Sequence, residues 1–284
     1  MLGRAHKGVS TLPRYDPAMI SHWPGLSLPE RVWTVVRRWA LAWWRILYLG
    51  AVVLVLVLSP SSYVRGTRRA LARHLYLDTA PVLLGFTVLA ALISLVLTRI
   101  VVVTALSYGL SRYALEMVIR VLVLELIPLT AALFVAMRCT IPNGTQLALL
   151  RQSGRLDQLR RLGADPVRVE LLPRAVAGVF ACITLAALSC VVALVLAYLG
   201  VYGFSLAGLP SYTRMFGQVF APAVTLVFVI KTLLFSLAVA LIPMAAGLHD
   251  TGGRAQSDSE LGGLARMFAV LLLIEVGSLV GNYY

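Results

Sequence analysis

The amino-acid sequence predicts an all-α integral membrane protein with five transmembrane helices, preceded by an interfacial or re-entrant elbow helix. Of the 284 residues, 60% are hydrophobic and 13% are charged, and the mean hydropathy is +0.87. A water-soluble globule of this size would need more polar surface. Several apolar runs also reach the roughly 20 residues that cross a hydrocarbon core. Their continuous Leu/Val/Ala composition favours helices over a barrel.

The first apolar run, residues 41–59, is predicted to form part of an elbow helix over 31–59. Arginines flank both of its ends, so a full crossing would place one basic cluster outside the cell. Its start is also crowded with aromatic residues that prefer the membrane–water interface, namely Trp33, Trp39, Trp43 and Trp44. The elbow therefore has both flanks on the cytoplasmic side, with a full span as the alternative.

The other five apolar runs are predicted spans, over residues 81–107, 115–138, 174–200, 217–247 and 267–283. The loop 139–173 holds five arginines, whereas the loops 108–114 and 201–216 hold one each. The positive-inside rule then places the N-terminus in the cytoplasm and the C-terminus on the periplasmic side of a bacterial inner membrane. Pro222 and Pro243 mark expected kinks in the fourth span.

The formal net charge of +13 is explained by the same rule together with attraction to anionic lipids. We therefore expect no nucleic-acid partner. Residues 1–30 are predicted to be a basic cytoplasmic segment without a cleaved signal peptide, and residues 31–284 one membrane domain. The three cysteines lie in or beside apolar runs without metal-ligand spacing, which predicts buried free thiols and no metal site.

An amphipathic helix is predicted inside the cytoplasmic loop. Leucines recur there at helical spacing, at positions 147, 150, 156, 159 and 162, while Arg151, Arg155 and Asp157 lie elsewhere on the helix. Gly163 is expected to stop this helix, and Asp165 with Pro166 to begin the next turn or helix. Spacing alone leaves two roles open: a membrane-surface helix, or a coupling helix that docks in the groove of a motor subunit.

Charged residues at membrane depth form a second class of candidates, because each is costly unless it is paired or hydrated. The set comprises Arg99, Glu116, Arg120, Glu125, Arg138, Lys231 and Glu275. Glu116 and Arg120 are four residues apart and predict a local ion pair. Arg138 is expected to snorkel to the cytoplasmic surface or to hold a lipid phosphate. Glu125 and Lys231, with Glu275 as a third member, are hypothesised to form contacts between helices that support or line a cavity.

The stretch from Glu125 to Arg174 carries a family resemblance. Glu125–Pro128 reads ELIP, Ala136–Arg138 reads AMR, and Gly163–Pro166 reads GADP, followed by Pro173 and Arg174. These motifs resemble the ELGP, AGR and G-x-D-P…P-R patterns of the MlaE/YrbE permease family. Lys231 with Phe235 and the later glycines at 247, 252 and 253 continue the likeness.

That resemblance implies a permease subunit of an ABC transporter that moves phospholipids between the inner membrane and a periplasmic MCE-domain partner of the MlaD type. It implies a homodimer, a separate cytoplasmic ABC ATPase of the MlaF type and an accessory STAS-domain protein of the MlaB type. ATP and Mg²⁺ would bind the ATPase, and this chain would hold no cofactor and catalyse no reaction. The implied coupling residues are Arg151, Arg155, Asp157, Arg160, Arg161, Gly163, Asp165 and Pro166.

The coupling segment departs from the family pattern. The family commonly has acidic residues where this chain has Gln146 and Gly154, and Arg155 adds a positive charge. The partner ATPase is therefore expected to be more acidic at this contact.

Two other functional classes were weighed against transport. An intramembrane lipid-modifying enzyme would need a nucleophile, base or metal cluster, but the four histidines lie outside the predicted spans and no catalytic motif occurs. A membrane scaffold without transport activity would tolerate apolar replacement of the mid-span charges.

Overall fold

The computed structural model describes residues 28–59, 65–109, 111–249 and 255–283, and all regular structure among them is helical. The α-helices are α1 (Leu28–Leu58), α2 (Arg65–Ser107), α3 (Ser111–Val118), α4 (Ile127–Val135), α5 (Ile141–Gln152), α6 (Arg155–Arg161), α7 (Leu172–Tyr202), α8 (Leu209–Val219), α9 (Pro222–His249) and α10 (Ala255–Tyr283). A short 3₁₀ turn, Leu206–Gly208, precedes α8.

The chain forms two compact units, Met1–Trp44 and Arg45–Tyr284. In the first unit the described residues are the N-terminal part of α1, where the rings of Trp39 and Trp43 meet edge to face with centroids 5.8 Å apart. The predicted basic segment lies almost wholly in residues 1–27, outside the described residues. The second unit contains all the other helices.

Six helical stretches in the described residues are long and apolar enough to cross a membrane: Trp39–Leu58, Leu71–Ala105, Leu115–Gln152, Val167–Tyr202, Pro222–Leu248 and Gly262–Asn282. The predicted all-α membrane fold is confirmed. The first stretch is the predicted elbow, and its length and composition also suit the alternative of a full span. The elbow assignment stays a prediction.

In the described residues, three π-helical segments lie within a span or at its start, and the second residue after each segment is a proline. Ile119–Leu126 leads to Pro128, Ala136–Thr140 to Pro142, and Val167–Leu171 to Pro173. A proline inside an α-helix lacks the N–H for the usual hydrogen bond and clashes with the carbonyl four residues earlier. A wider π turn before the proline relieves that clash, so the chain stays helical from α3 through α5. Two of these prolines, Pro128 and Pro173, belong to the motifs of the family resemblance.

Several predicted boundaries differ from the structure: α2 begins at Arg65 and α10 at Ala255, before the predicted starts at residues 81 and 267. The span predicted at 115–138 continues as a helix to Gln152, so much of the predicted loop 139–173 is helical. Pro142 is tolerated because it lies in the first turn of α5, directly after a π turn. The span predicted at 217–247 begins only at Pro222, which starts α9 instead of kinking it, while Pro243 does lie inside α9.

The second unit is held together by three apolar clusters. The central cluster joins α2, α4, α7, α9 and α10 around Phe86, Leu185 and Phe235. A second cluster packs the π segment Ile119–Leu126 against α7, and a third packs α9 against α5 and the beginning of α7. Cys139, Cys182 and Cys190 are buried free thiols, as predicted.

The crossing of α5 and α9 depends on the absence of a side chain at Gly144. A Cβ atom there would lie 2.6 Å from the backbone oxygen of Pro243. Because backbone atoms cannot move aside as a flexible side chain can, we expect Gly144→Ala to destabilise the protein by about 1–3 kcal/mol. The measurement is the melting temperature of the purified protein in detergent.

The matched control is Gly85→Ala in α2, where an added Cβ meets nothing within 4 Å. Alanine is the better helix former, so this change is expected to leave the melting temperature equal or slightly higher. Equal melting temperatures for the two variants would contradict the close approach of α5 and α9.

Candidate functional site

Lys231 is the centre of a buried ionic cluster between three helices. It projects from α9 and is only 2% exposed. Its ammonium group forms an ion pair with the carboxylate of Glu125, and it donates a hydrogen bond of 3.3 Å to the backbone oxygen of Leu124. The Lys231 Nζ atom also lies 2.9 Å from Oε2 of Glu275 in α10, a second ion pair. The structure thus brings Glu125, Lys231 and Glu275 into one contact, here called the ionic triad.

The helix around Glu125 explains how its carboxylate reaches α9. Glu125 lies in the π segment Ile119–Leu126, three residues before Pro128. A π turn rotates the following side chains relative to a regular α-helix, and such turns are frequent at functional sites. Sequence reasoning missed a fourth polar member, Asn282, whose side-chain amide donates a hydrogen bond of 3.4 Å to Oε1 of Glu125. The sequence signal for this residue was a polar side chain near the C-terminal end of the last apolar run.

The electrostatics of the ionic triad are governed by burial at membrane depth. All three side chains belong to apolar stretches that could span a bilayer. Removing charges from water is costly, and only close pairing compensates for it. Lys231 is the common partner of both carboxylates and therefore holds α9, α10 and the Glu125 helix together.

A cavity of about 330 Å³ lies between α9 and α10 beside the ionic triad. Lys231 is the charged residue in its wall, Ser278 adds a hydroxyl, and the rest of the lining is apolar or glycine. The other lining residues are Val227, Ile230, Leu234, Leu273, Ile274, Gly277 and Gly281. A largely apolar cavity suits the acyl chain of an amphiphilic ligand.

Arg138 does not join the ionic triad. It lies 13 residues after Glu125 on the same helix, about 20 Å along the axis at the usual rise per residue. Its side chain is exposed on the protein surface in the π segment Ala136–Thr140, next to the exposed Met137. Glu116 and Arg120 form the predicted local pair, with Arg120 Nε donating to Glu116 Oε1 at 3.0 Å.

The predicted amphipathic helix of the loop is divided into two pieces. The chain leaves α5 at Gln152 and turns at Gly154, whose φ of 70° lies in the left-handed region that favours glycine. Helix α6 follows as Arg155–Arg161. The leucine stripe is therefore interrupted: Leu147 is buried within α5 and Leu156 within α6, whereas Leu162 is 81% exposed.

The end of the loop follows the sequence prediction. Helix α6 stops at Arg161, and Gly163 adopts a φ of 76° just after it. Oδ1 of Asp165 accepts a hydrogen bond of 3.0 Å from the backbone N–H of Val167, so the next helical segment begins beside Pro166. A weak ion pair of 3.7 Å links Asp165 to Arg168.

The charged side chains of this loop form an exposed surface. Arg155, Asp157, Arg160 and Arg161 are all exposed in α6 and carry a net positive charge. Arg151 is also exposed, and its guanidinium donates a hydrogen bond of 2.6 Å to the backbone oxygen of Leu248 at the end of α9. We call the exposed side chains of residues 155–162 the α6 surface.

Comparison with known families gives one match. The family model described as Permease MlaE matches residues 71–276, which include the ionic triad, the cavity lining up to Ile274 and the α6 surface. None of the curated proteins matches the chain. The matched region covers most of the chain, so this membrane protein belongs to the MlaE permease family, which implies the role of permease in an ABC transporter.

Proposed function

We propose that the chain is the permease subunit of an ABC transporter that moves phospholipids between the bacterial inner membrane and a periplasmic MCE-domain protein. ATP is hydrolysed on a separate cytoplasmic ATPase that binds ATP and Mg²⁺. The sequence contains no G-x-x-x-x-G-K-[ST] motif, the loop that cradles nucleotide phosphates in such ATPases. A STAS-domain protein is a further proposed subunit.

The observation that carries this proposal is the cavity beside Lys231. Apolar side chains can receive an acyl chain, while the Lys231 ammonium group can attract the phosphate of a lipid. Glu125 and Glu275 hold this ammonium group in place, so a lipid phosphate would have to compete with these carboxylates for it. Arg138, exposed on the surface of the Leu115–Gln152 helix, is a second proposed contact for lipid phosphate.

We propose that two copies of the chain face each other across this cavity. Gly277 in the cavity wall has open space where a side chain would project, and Leu273 nearby is exposed. Glycines allow close approach of helices within a membrane. A second copy packed here would enlarge the cavity to the width of a lipid with two chains.

The α6 surface is the proposed contact with the ATPase, with the N-terminus in the cytoplasm. Its arginines favour an acidic groove on the ATPase, and the exposed Leu162 supplies an apolar anchor. Gly163, Asp165 and Pro166 would fix the direction in which the chain leaves this contact.

Purification from native membranes in mild detergent tests this function. We expect the chain to co-purify with an ABC ATPase, an MCE-domain protein and phospholipids, identified by mass spectrometry of the complex. A chain that purifies without an ATPase and without an MCE-domain protein would contradict the proposed transporter. A purified chain that alone changes the chemical structure of added lipids would instead support an intramembrane enzyme.

A further inference from the structure

A second polar cluster lies away from the ionic triad, between α2, α5 and the beginning of α7. The side-chain amide of Asn143 donates a hydrogen bond of 3.1 Å to Oδ2 of Asp78. The Cys139 thiol donates to the backbone oxygen of Asp78 at 3.2 Å. Asn143 is only 5% exposed, so this contact is an internal link between α2 and α5.

Arg174, at the beginning of α7, forms a separate buried contact. Its Nη1 atom donates hydrogen bonds of 2.5 Å to both the backbone oxygen and the carboxylate of Glu170. Arg174 is only 7% exposed. The contacts of Asp78 with Asn143 and Cys139, which join α2 to α5 and the π segment before it, are here called the α2 clasp.

The two ends of the segment that carries the α6 surface both lie against α2. On the N-terminal side of the loop, Asn143 lies in α5 directly after the π segment Ala136–Thr140. On the C-terminal side, the turn at Asp165 leads into the π segment Val167–Leu171, which contains Glu170. The first of these segments is joined to α2 by the hydrogen bond from Asn143 to Asp78, and the second packs against α2. In turn, α2 packs along the length of α7.

π turns bend helices and can be read as local hinges. Two such turns, Ala136–Thr140 and Val167–Leu171, lie next to the α2 clasp. The hydrogen bond from Asn143 to Asp78, by contrast, joins two short side chains and holds α5 close to α2. A displacement of α6 would bend the chain at the π turns, and the clasp would convert that bending into movement of α2.

We propose that the α2 clasp transmits movement of the α6 surface to α2, so that Asp78 and Asn143 are positioning residues for transport. This inference rests on the proposed function, in which the ATPase moves the α6 surface. Apolar packing along α7 resists separation of the helices, and the directional polar contacts favour one orientation of α2 relative to α5.

Three variants separate transmission from stability. Asn143→Leu leaves the Asp78 carboxylate without its amide donor. Asp78→Leu with Asn143→Leu replaces the contact by an apolar pair. Asp78→Asn with Asn143→Asp exchanges the two groups and keeps a hydrogen bond between them. Each variant is purified as the complex with its ATPase and MCE-domain protein and reconstituted in phospholipid vesicles.

The measured quantities are lipid molecules transferred per ATP hydrolysed and the melting temperature. We expect Asn143→Leu to lower both, with transfer per ATP falling about tenfold, a typical coupling effect. The double leucine variant should recover the melting temperature but not the transfer per ATP. The exchanged pair should recover both to within about twofold of the unmodified complex.

The inference is overturned if the double leucine variant transfers as much lipid per ATP as the unmodified complex, since the contact would then serve only packing. It is also overturned if the exchanged pair folds but stays uncoupled, because the mutual hydrogen bond would then not be the active feature. If Asn143→Leu does not fold, the other two variants still decide. An unmodified complex without ATP-driven transfer would overturn the proposed function and this inference together.

Discussion

Replacing Lys231 by methionine is expected to abolish lipid transfer and to destabilise the protein strongly. Methionine has nearly the same length, so the change mainly removes the ammonium group that pairs with Glu125 and Glu275. Two buried carboxylates would then lack their cation, and breaking such a buried pair typically costs about 3–5 kcal/mol. The melting temperature in detergent and ATP-driven transfer in vesicles are the two measurements.

The control removes all three charges together, as Glu125→Gln, Lys231→Met and Glu275→Gln. A neutral cluster of similar shape leaves no unpaired charge buried, so the melting temperature should return most of the way to that of the unmodified protein. Transfer should stay absent if the Lys231 charge attracts the lipid phosphate. A Lys231→Met protein with unchanged melting temperature and transfer would contradict both roles of the ionic triad, as a membrane scaffold without transport would predict.

Exchanging the charges separates pairing from contact with lipid. The variant Glu125→Lys with Lys231→Glu keeps one cation and two carboxylates in the cluster. Lys231 lines the cavity, whereas Glu125 is absent from its lining. We therefore expect the exchanged protein to fold but to transfer little lipid, because a carboxylate now faces the cavity. Full transfer by this variant would mean that pairing alone is required, and it would contradict direct contact between Lys231 and the lipid.

Reversing the charges of Arg160 and Arg161 to glutamate is expected to prevent binding of the ATPase while the membrane domain stays folded. Both side chains are exposed in α6, so the substitution should leave the melting temperature within about one degree of the unmodified value. Placing like charges against an acidic groove costs several kcal/mol, which weakens binding at least about 100-fold. Pull-down of the ATPase in detergent measures the effect.

The matched control is Arg214→Glu, an exposed arginine in α8 on the side of the membrane opposite to α6 in the predicted topology. It reverses an exposed arginine charge without touching the α6 surface, so ATPase recovery should be unchanged. Raising the salt concentration should weaken the unmodified complex, since exposed charges are screened. Equal ATPase recovery from the Arg160/Arg161 variant and the unmodified chain would contradict the proposed contact.

The predicted loop 139–173 shows why the ends of helices were harder to predict than the presence of membrane spans. Proline and glycine usually end helices, yet Pro142 and Gly144 lie within a helical stretch that continues from Leu115 to Gln152. Pro142 follows a π turn that accommodates its ring, and Gly144 lets the backbone of α9 approach. Both exceptions depend on neighbours in space. Gly163 and Asp165, by contrast, act through their own backbone and the next two residues, and the helix end and turn predicted there are confirmed.

The sequence by itself determined that the chain is a bundle of membrane helices. Hydropathy over some 20 residues is a local property, and the solvent acts on each segment separately. The same locality made the Glu116–Arg120 pair predictable, since its members are four residues apart.

Only the tertiary structure decided which buried polar groups meet. Lys231 and Glu125 are separated by 106 residues, and Asn143 and Asp78 by 65. Whether such residues touch depends on how each helix is rotated about its axis, and a single π turn changes that rotation for every residue after it. Local composition thus determines the spans. The ionic triad and the α2 clasp depend on how the helices rotate and cross, which no short segment of the sequence specifies.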